Sequence, residues 1–182
     1  MIKQLQVDAR TSFKDLGASI GFTGLGAKKR LSKLVKQRVL HPSVLLNTEA
    51  LDLRLAIILL ETESAEAMRN TIERYKHCPR ILNFFTTLGG YNLIALVMAE
   101  DQDTLQSEAM EMCSVRSCDG IRRSEFYPIN DVDLPFLPLR CCTSIKKEER
   151  APCGVNCQDC TSFQKGKCVA CPSVKYYKGP LK

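Results

Sequence analysis

The sequence predicts an α+β protein in which an N-terminal helix-turn-helix, winged-helix-like in outline, precedes a ferredoxin-like βαββαβ domain and a small cysteine-rich tail. Three observations support this prediction. Residues 1–40 hold short helical patterns separated by glycine, residues 51–130 hold apolar segments in the order β-α-β-β-α-β, and residues 151–182 hold five cysteines. We expect residues 41–50 to form a connecting strand or linker, and residues 131–150 to form a second linker with proline and charged residues.

Capping and turn residues place the helices of the N-terminal segment. Ser12 stands three positions before Asp15, as in a capping box. Gly21 ends the helix that follows, and Thr23 can cap the next one. The apolar positions of this second helix, residues 23–38, recur at helical spacing and are Ala27, Leu31, Leu34 and Val35. A short capped helix, a glycine turn and a second helix define a helix-turn-helix.

Hydrophobic periodicity sets the order of the elements in the middle segment. The predicted strands are residues 51–60, 81–87, 91–99 and 121–129. The predicted helices are residues 63–77 and a second helix that begins at Asp101 or Asp103 and ends near Cys118. Gly89 and Gly90 make a tight turn between the two central strands, and Pro79 and Gly120 end the helices. This order is that of a split βαβ, or ferredoxin-like, fold.

Charge is distributed unevenly and predicts a polyanionic partner for the first segment. Residues 1–50 carry nine Lys and Arg against three Asp and Glu, whereas residues 51–130 carry eight against twelve. Most of the cations of the first segment lie on the second helix of the predicted helix-turn-helix. In that position a basic helix can enter the major groove of double-stranded DNA and neutralise phosphates. The candidate DNA-binding residues are Thr23, Lys28, Lys29, Arg30, Lys33 and Lys36.

The composition argues against a membrane-embedded or secreted protein. No stretch approaches 18 uninterrupted apolar residues, and charged residues interrupt the first 20 positions, where a secretory signal needs an apolar block. We therefore expect a cytoplasmic protein without a membrane partner. In a reducing compartment, clustered cysteines are metal ligands more often than disulfides.

The cysteines of the tail have the spacing of metal ligands. Two Cys-x2-Cys pairs lie fewer than ten residues apart, and a fifth cysteine precedes them, so four thiolates can meet at one centre. Zinc would use Cys157, Cys160, Cys168 and Cys171. An iron–sulfur cluster would use Cys153, Cys157 and Cys160 with either Cys168 or Cys171. Both metals stay open, and Cys141 and Cys142 lie nearby. Because the tail has few aliphatic residues, we expect the metal to stabilise its fold.

Two segments resemble one family of regulators. Residues 8–40 resemble the DNA-binding segment of the leucine-responsive regulatory protein/AsnC family, and residues 51–130 resemble that family's ligand-sensing and assembly domain. The resemblance implies an archaeal or bacterial transcription regulator, not an enzyme. It implies a homodimer, or a higher homo-oligomer, built through paired sheets, with two recognition helices on a pseudo-palindromic DNA site. The connecting strand would be residues 39–46.

The resemblance also implies an effector site. Effectors of the family, commonly amino acids, bind between dimers near the turn that joins the second and third strands. In this sequence the turn is Leu88, Gly89, Gly90, Tyr91 and Asn92, and Gly90 stands where the family usually has an acidic residue. A redox-active metal in the tail would provide a second way to change DNA affinity.

Two other functions stay open. Sirohaem decarboxylases resemble the same family and bind a tetrapyrrole beside histidine or arginine, and this chain has only His41 and His77. The other alternative is a metal-dependent protein-interaction module with a vestigial helix-turn-helix. Outside the tail, we expect Cys113 and Cys118 to lie in the core of the middle domain. Cys78 with Pro79 marks the end of a helix.

Overall fold

The computed structural model describes residues 1–140 and 148–181, and the chain divides into two units, Met1–Val44 and Leu45–Lys182. The first unit is helical. The second unit contains the sheet and the cysteine-rich tail together. Among the described residues, no helix combines the length and the apolar character needed to cross a bilayer.

Three helices make up the first unit, namely α1 (Ile2–Val7), α2 (Phe13–Ala18) and α3 (Gly24–Lys36). Ser12 caps α2 because its Oγ accepts a hydrogen bond from the Asp15 N–H at 3.2 Å. Thr23 caps α3 in the same way. Gly21 lies in the left-handed region, at φ 71°, and makes the turn between the two helices. The predicted helix-turn-helix is therefore confirmed, but residues 1–44 contain no strand, so this unit has no wing.

The second unit begins with β1 (Leu46–Asn47) and continues with six elements, β2 (Arg54–Thr62), α4 (Ala65–Tyr75), β3 (Ile81–Thr86), β4 (Leu93–Ala99), α5 (Gln102–Met110) and β5 (Ile121–Ile129). Strands β2 to β5 form one antiparallel sheet in the order β3-β4-β2-β5. This arrangement is the ferredoxin-like fold that the sequence predicts.

One predicted helix is too long. Helix α5 ends at Met110 instead of near Cys118, and Cys113 and Cys118 lie in the loop that follows. The side chain of Ser114 caps a separate 3-10 turn by accepting a hydrogen bond from the Arg116 N–H at 3.2 Å. The helix stops because the chain starts this new turn, and periodicity alone does not detect such a restart.

The two faces of the four-stranded sheet differ in burial. Ala56, Ile58 and Leu60 of β2 are at most 1% exposed, and α4 and α5 contact the sheet. On the opposite side of β2, Ile57 and Leu59 are only half-buried, and Phe85 and Tyr127 beside them are 48% and 50% exposed. We call this second side the open sheet face, and its apolar residues are Ile57, Leu59, Phe85, Ile94, Leu96 and Tyr127.

A two-stranded sheet corrects two predictions about the linkers. Strand β6 (Phe136–Leu137) pairs antiparallel with β1, with Leu46 opposite Leu137. The predicted connecting strand over residues 39–46 is reduced to Leu46–Asn47, and part of the predicted linker 131–150 is a strand. Prolines at positions 135 and 138 flank the two paired residues, so neither removes a hydrogen bond from the ladder.

The tail folds onto the sheet domain by burial, which the sequence did not predict. It contains a 3-10 helix (Cys157–Asp159) and one short helix, α6 (Thr161–Gln164), among its described residues. Five of its apolar side chains are at most 9% exposed and belong to the same core cluster as the sheet, namely Val155, Ala170, Val174, Tyr177 and Leu181. The few aliphatic residues of the tail suffice because they cover an existing core instead of forming a separate one.

Candidate nucleic-acid interface and metal centre

The outer surface of α3 carries the predicted DNA-binding cations. All five of them are exposed, and within residues 1–140 and 148–181 none forms an ion pair, namely Lys28, Lys29, Arg30, Lys33 and Lys36. Ala27 is fully buried on the inner side of the helix, whereas Val35 is 36% exposed, so the apolar stripe is narrower than predicted. The positive charge is thus available to phosphates.

Two apolar side chains lie among these cations and were not predicted. The Arg30 guanidinium lies 3.8 Å from the centroid of the Phe22 ring, in a cation–π contact that holds it across the start of α3. Leu25, in the first turn, is 64% exposed and lines an open groove of about 500 Å³ with the neighbouring lysines. Such a side chain can contact a thymine methyl group in the major groove. Neither residue belongs to the apolar periodicity of α3. For Leu25, the signal in the sequence is its place in the first turn, which meets base edges when such a helix enters a major groove.

Close packing of α2 against the start of α3 depends on Gly17. A Cβ atom at Gly17 would lie 2.5 Å from the Phe22 carbonyl oxygen and 2.8 Å from the backbone of Thr23. The Phe22 N–H also donates a hydrogen bond to the Gly17 carbonyl at 2.8 Å. The hydroxyl of Thr23, a predicted DNA-binding residue, accepts the Gly26 N–H and so fixes the first turn of α3. These contacts set the position of the cationic surface.

The predicted effector turn between β3 and β4 divides into an exposed part and a structural part. Leu88, Gly89 and Gly90 are exposed. In contrast, the Asn92 side chain accepts a hydrogen bond from the Thr62 N–H at 2.8 Å and donates one to the Thr62 carbonyl at 3.0 Å. Asn92 thus holds the turn against the end of β2 and is not available to a ligand in this conformation.

A polar cluster on β5 contacts the same turn. The Glu125 carboxylate accepts hydrogen bonds from Tyr91 and Tyr127, and from Arg123 at 2.8 Å. These donors, with Arg123 foremost, lower the pKa of Glu125 to about 2. The cluster keeps the Glu125 carboxylate ionised and paired with Arg123, in contact with Tyr91 of the turn.

The five tail cysteines line one cavity, as the spacing predicts, and each is at most 8% exposed. Two cysteines from outside the tail, Cys78 and Cys113, line the same cavity. Cys118 instead borders a polar cleft of about 300 Å³ beside α4, where the buried Thr71 hydroxyl has no hydrogen-bond partner in the described chain. Cys141 and Cys142 lie outside the described residues.

Backbone N–H groups point at the sulfur atoms of the tail. Burial raises the pKa of the Cys171 thiol to about 12, and a hydrogen bond from the Ser173 backbone N–H opposes that rise. Cys153 receives the same type of bond from Val155, and Cys160 receives one from Ser162. Cys157 receives one from the N–H of Cys171. Such donors stabilise a thiolate, which is the form that binds a metal.

A buried charge network borders the thiol cavity. The Arg80 guanidinium lies 2.7 Å from the Glu100 carboxylate and 3.1 Å from that of Glu108, and it donates to the Ala170 carbonyl of the tail at 2.5 Å. The Tyr177 hydroxyl of the tail donates to Glu100 at 2.5 Å. Burial raises the pKa of Glu108 to about 8, against the opposing effect of Arg80. Sequence reasoning missed this network because its members are far apart in the chain.

The thiols share a cavity but do not meet at a point. Within the described residues, no three His, Cys, Asp or Glu side chains are positioned to hold a metal ion. The two histidines, His41 and His77, are exposed and distant in sequence from the tail. Among the described residues, the side chains in this cavity that could bind a metal are thus its cysteine thiols and the Glu108 carboxylate.

Comparison with solved structures shows a shared fold. The chain is similar to AsnC of Escherichia coli, with 18% identity, a TM-score of 0.61, and coverage of 73% of this chain and 89% of that one. It is similar to the leucine response regulatory protein of Mycobacterium tuberculosis, with 16% identity, a TM-score of 0.63, and coverage of 72% and 89%. A transcriptional regulator of Neisseria meningitidis, solved with L-methionine, has 16% identity and a TM-score of 0.61, with coverage of 74% and 88%.

These similarities establish the architecture of a helix-turn-helix followed by a ferredoxin-like domain. At such identities they establish the fold alone. No family model and no curated protein matches the chain.

Proposed function

We propose that this protein is a sequence-specific, DNA-binding transcription regulator that works as a homodimer or higher homo-oligomer. The observation that carries the proposal is the exposed cationic surface of α3, which lies in the second position of a helix-turn-helix. Several solved structures with the same fold are named as regulators or regulatory proteins, which supports this function over an enzymatic one.

DNA binding is tested by fluorescence anisotropy with a duplex taken from upstream of the protein's own gene. We expect reversal of the charges at Lys28, Lys29 and Arg30 to Glu to abolish binding. Neutralisation of the same three residues to Gln should reduce the slope of log affinity against log salt by about 0.9 for each phosphate that is no longer neutralised. The matched control reverses three exposed cations of the second unit, Arg122, Lys165 and Lys167. Unchanged binding in the Glu variant would remove the recognition-helix assignment.

The open sheet face supports self-association. It carries apolar side chains on all four strands, β2 to β5, whereas α4 and α5 contact the sheet domain core. A contiguous exposed apolar face of this kind is typical of a protein–protein interface. We expect Phe85→Arg to give a monomer in light scattering, because it places a charge on this face. Val7→Arg, at an 83% exposed site in the first unit, should leave the oligomer intact.

An effector site at the turn between β3 and β4 is part of the proposal. Leu88, Gly89 and Gly90 are exposed there, and Glu125 supplies a carboxylate to an ammonium group close by. We expect an amino acid to raise the melting temperature, since a ligand at 100 times its Kd stabilises by about 2.7 kcal/mol. L-Methionine is the first probe. Gly90→Arg should abolish the shift without changing the melting temperature of the ligand-free protein.

We further propose a metal centre in the thiol cavity. The cavity is lined mainly by thiols, with Glu108 beside them. Burial raises the pKa of four tail cysteines, and backbone N–H groups oppose that rise. A zinc site needs four sulfurs about 2.3 Å from one point. The thiols instead surround a space, and no three of those in the described chain converge. An iron–sulfur cluster also needs four thiolates placed around one centre, and the cavity measures only about 30 Å³, so zinc and iron–sulfur both stay open.

Anaerobic purification distinguishes the two metals. A brown protein with a visible charge-transfer band indicates iron–sulfur, and a colourless protein with stoichiometric zinc indicates a structural zinc site. For a redox-active cluster, we expect DNA affinity to differ between the oxidised and reduced protein. Cys157→Ser combined with Cys168→Ser should abolish metal binding and any such difference, whereas Cys118→Ser, beside the polar cleft, should preserve both.

A further inference from the structure

The thiol cavity is not lined by the tail alone. Cys78 lies between the end of α4 and the start of β3, and its side chain lines the cavity together with the five tail cysteines. The Cys78–Pro79–Arg80 segment also repeats the local chemistry of a tail segment, Cys171–Pro172–Ser173. In both segments proline removes the first N–H after the cysteine, and the N–H of the following residue donates to the sulfur.

Direct contacts place these two Cys-Pro segments side by side. The Arg80 guanidinium, which belongs to the first segment, donates to the carbonyl of Ala170, the residue before Cys171, at 2.5 Å. Arg80 has a 5% exposed side chain and lines the cavity, and its Nε, 3.1 Å from Glu108, has no hydrogen-bond partner among the described residues. A buried cation at this position offsets part of the negative charge of a nearby thiolate.

The tail backbone is strained where it meets Arg80. Ala170 is fully buried and lies in the left-handed region at φ 68°, which a residue with a Cβ atom rarely adopts. Such strain persists where the surrounding structure requires it, commonly at a binding site. Here it turns Cys171 toward the cavity wall that Cys78 also lines.

Cys113 lines the same cavity as Cys78 but has different local surroundings. It lines the wall from the loop after α5, and it is followed by Ser114 instead of a proline. Burial raises the pKa of both the Cys113 and the Cys78 thiol. At Cys113 the charge of Arg80 opposes this rise, whereas at Cys78 the backbone N–H of Arg80 opposes it. The surroundings of Cys113 are those of an apolar core thiol, as the sequence predicts.

We propose that the Cys78 thiolate is a ligand of the metal centre, so that the metal joins the start of β3 directly to the tail. This inference rests on the proposed metal centre. The metal would then fix the sheet domain and the tail in one arrangement, and its loss would release the start of β3, the strand whose other end leads to the effector turn.

The test uses the full-length protein, purified anaerobically and loaded with iron and sulfide or with zinc. In Cys78→Ser, we expect metal loss to a chelator at least about 10-fold faster than in the unsubstituted protein. X-ray absorption at the metal edge should show one sulfur replaced by oxygen. Cys78→His should restore slow metal loss with one nitrogen bound to the metal. Cys113→Ser, the matched control, should lose metal within about twofold of the unsubstituted rate.

A second measurement needs no variant. Alkylation of the unsubstituted protein should show Cys78 protected together with Cys157 when metal is bound, and reactive together with it after chelation. Two results would overturn the assignment of Cys78 and leave the tail centre in place. One is alkylation of Cys78 that does not change with metal in a protein whose metal protects Cys157. The other is a rate of metal loss in Cys78→Ser equal to that of the unsubstituted protein. A protein that takes up no metal under either loading condition overturns the tail centre itself.

Discussion

In the first unit the guanidinium of Arg30 lies exposed over the Phe22 ring, whereas in the second unit that of Arg80 is buried between Glu100 and Glu108. A surface cation keeps its hydration and is available to a phosphate. A buried cation has lost that hydration and depends on partners within its own fold. The charge of Arg30 is therefore available for binding, whereas the charge of Arg80 contributes to cohesion within the second unit.

The largest expected effect concerns the buried ion pair between Arg80 and Glu100. Glu100→Gln should lower the free energy of unfolding of the second unit by about 3–5 kcal/mol, because it leaves Arg80 without its nearest carboxylate. Denaturant unfolding followed by tyrosine fluorescence measures this, since all five tyrosines lie in the second unit. Asp52→Asn breaks the exposed pair with Arg54 and should cost less than about 0.5 kcal/mol. Equal losses of unfolding free energy in Glu100→Gln and Asp52→Asn would show that burial does not set the strength of these ion pairs.

A smaller effect is expected in the first unit. Gly17→Ala should lower its free energy of unfolding by about 2 kcal/mol, because the added methyl group overlaps the backbone of Phe22 and Thr23. Hydrogen exchange of α2 and α3 measures the loss locally, and DNA affinity should fall with it. Faster exchange confined to the second unit would contradict this prediction.

The contact between the tail and the sheet domain is next in size. Tyr177→Phe should destabilise the second unit by about 1–2 kcal/mol, because it removes the hydroxyl that donates to Glu100 and accepts from the Leu181 N–H. Tyr91→Phe is the control, since that hydroxyl also donates to a carboxylate but does so near the surface. A larger loss in the control than in Tyr177→Phe would indicate that the tail contributes little to the core.

The smallest expected effect is a gain. Gly26→Ala should stabilise the first unit by up to about 1 kcal/mol, because alanine favours the helix and the nearest atoms to the new methyl group lie 3.4 and 3.5 Å away. The melting curve at 222 nm measures the change. Gly17→Ala and Gly26→Ala should therefore change the stability of the first unit in opposite directions. A loss of stability in both variants would mean that the start of α3 tolerates no side chain.

Local patterns were sufficient for most of the fold. Ser12, Gly21 and Thr23 mark the helix-turn-helix because capping and turn chemistry acts within a few residues. The order of the strands followed from the alternation of apolar and polar residues and from the glycine turn between β3 and β4. The sequence predicts too long a helix α5, because periodicity does not show that the Ser114 cap starts a new turn. It also predicts too long a connecting strand, because only two residues of β1 pair with β6.

The sequence by itself determined the helix-turn-helix, the ferredoxin-like order of strands, and the grouping of five cysteines, since each depends on neighbours along the chain. Only the tertiary structure decided that Cys78 lies beside Cys171, that Arg80 joins Glu100 to Ala170, and that Gly17 lets two helices meet. Those contacts join residues up to 93 positions apart. Their energies depend on burial and on distance in space, and neither quantity is encoded in the spacing of residues along the chain.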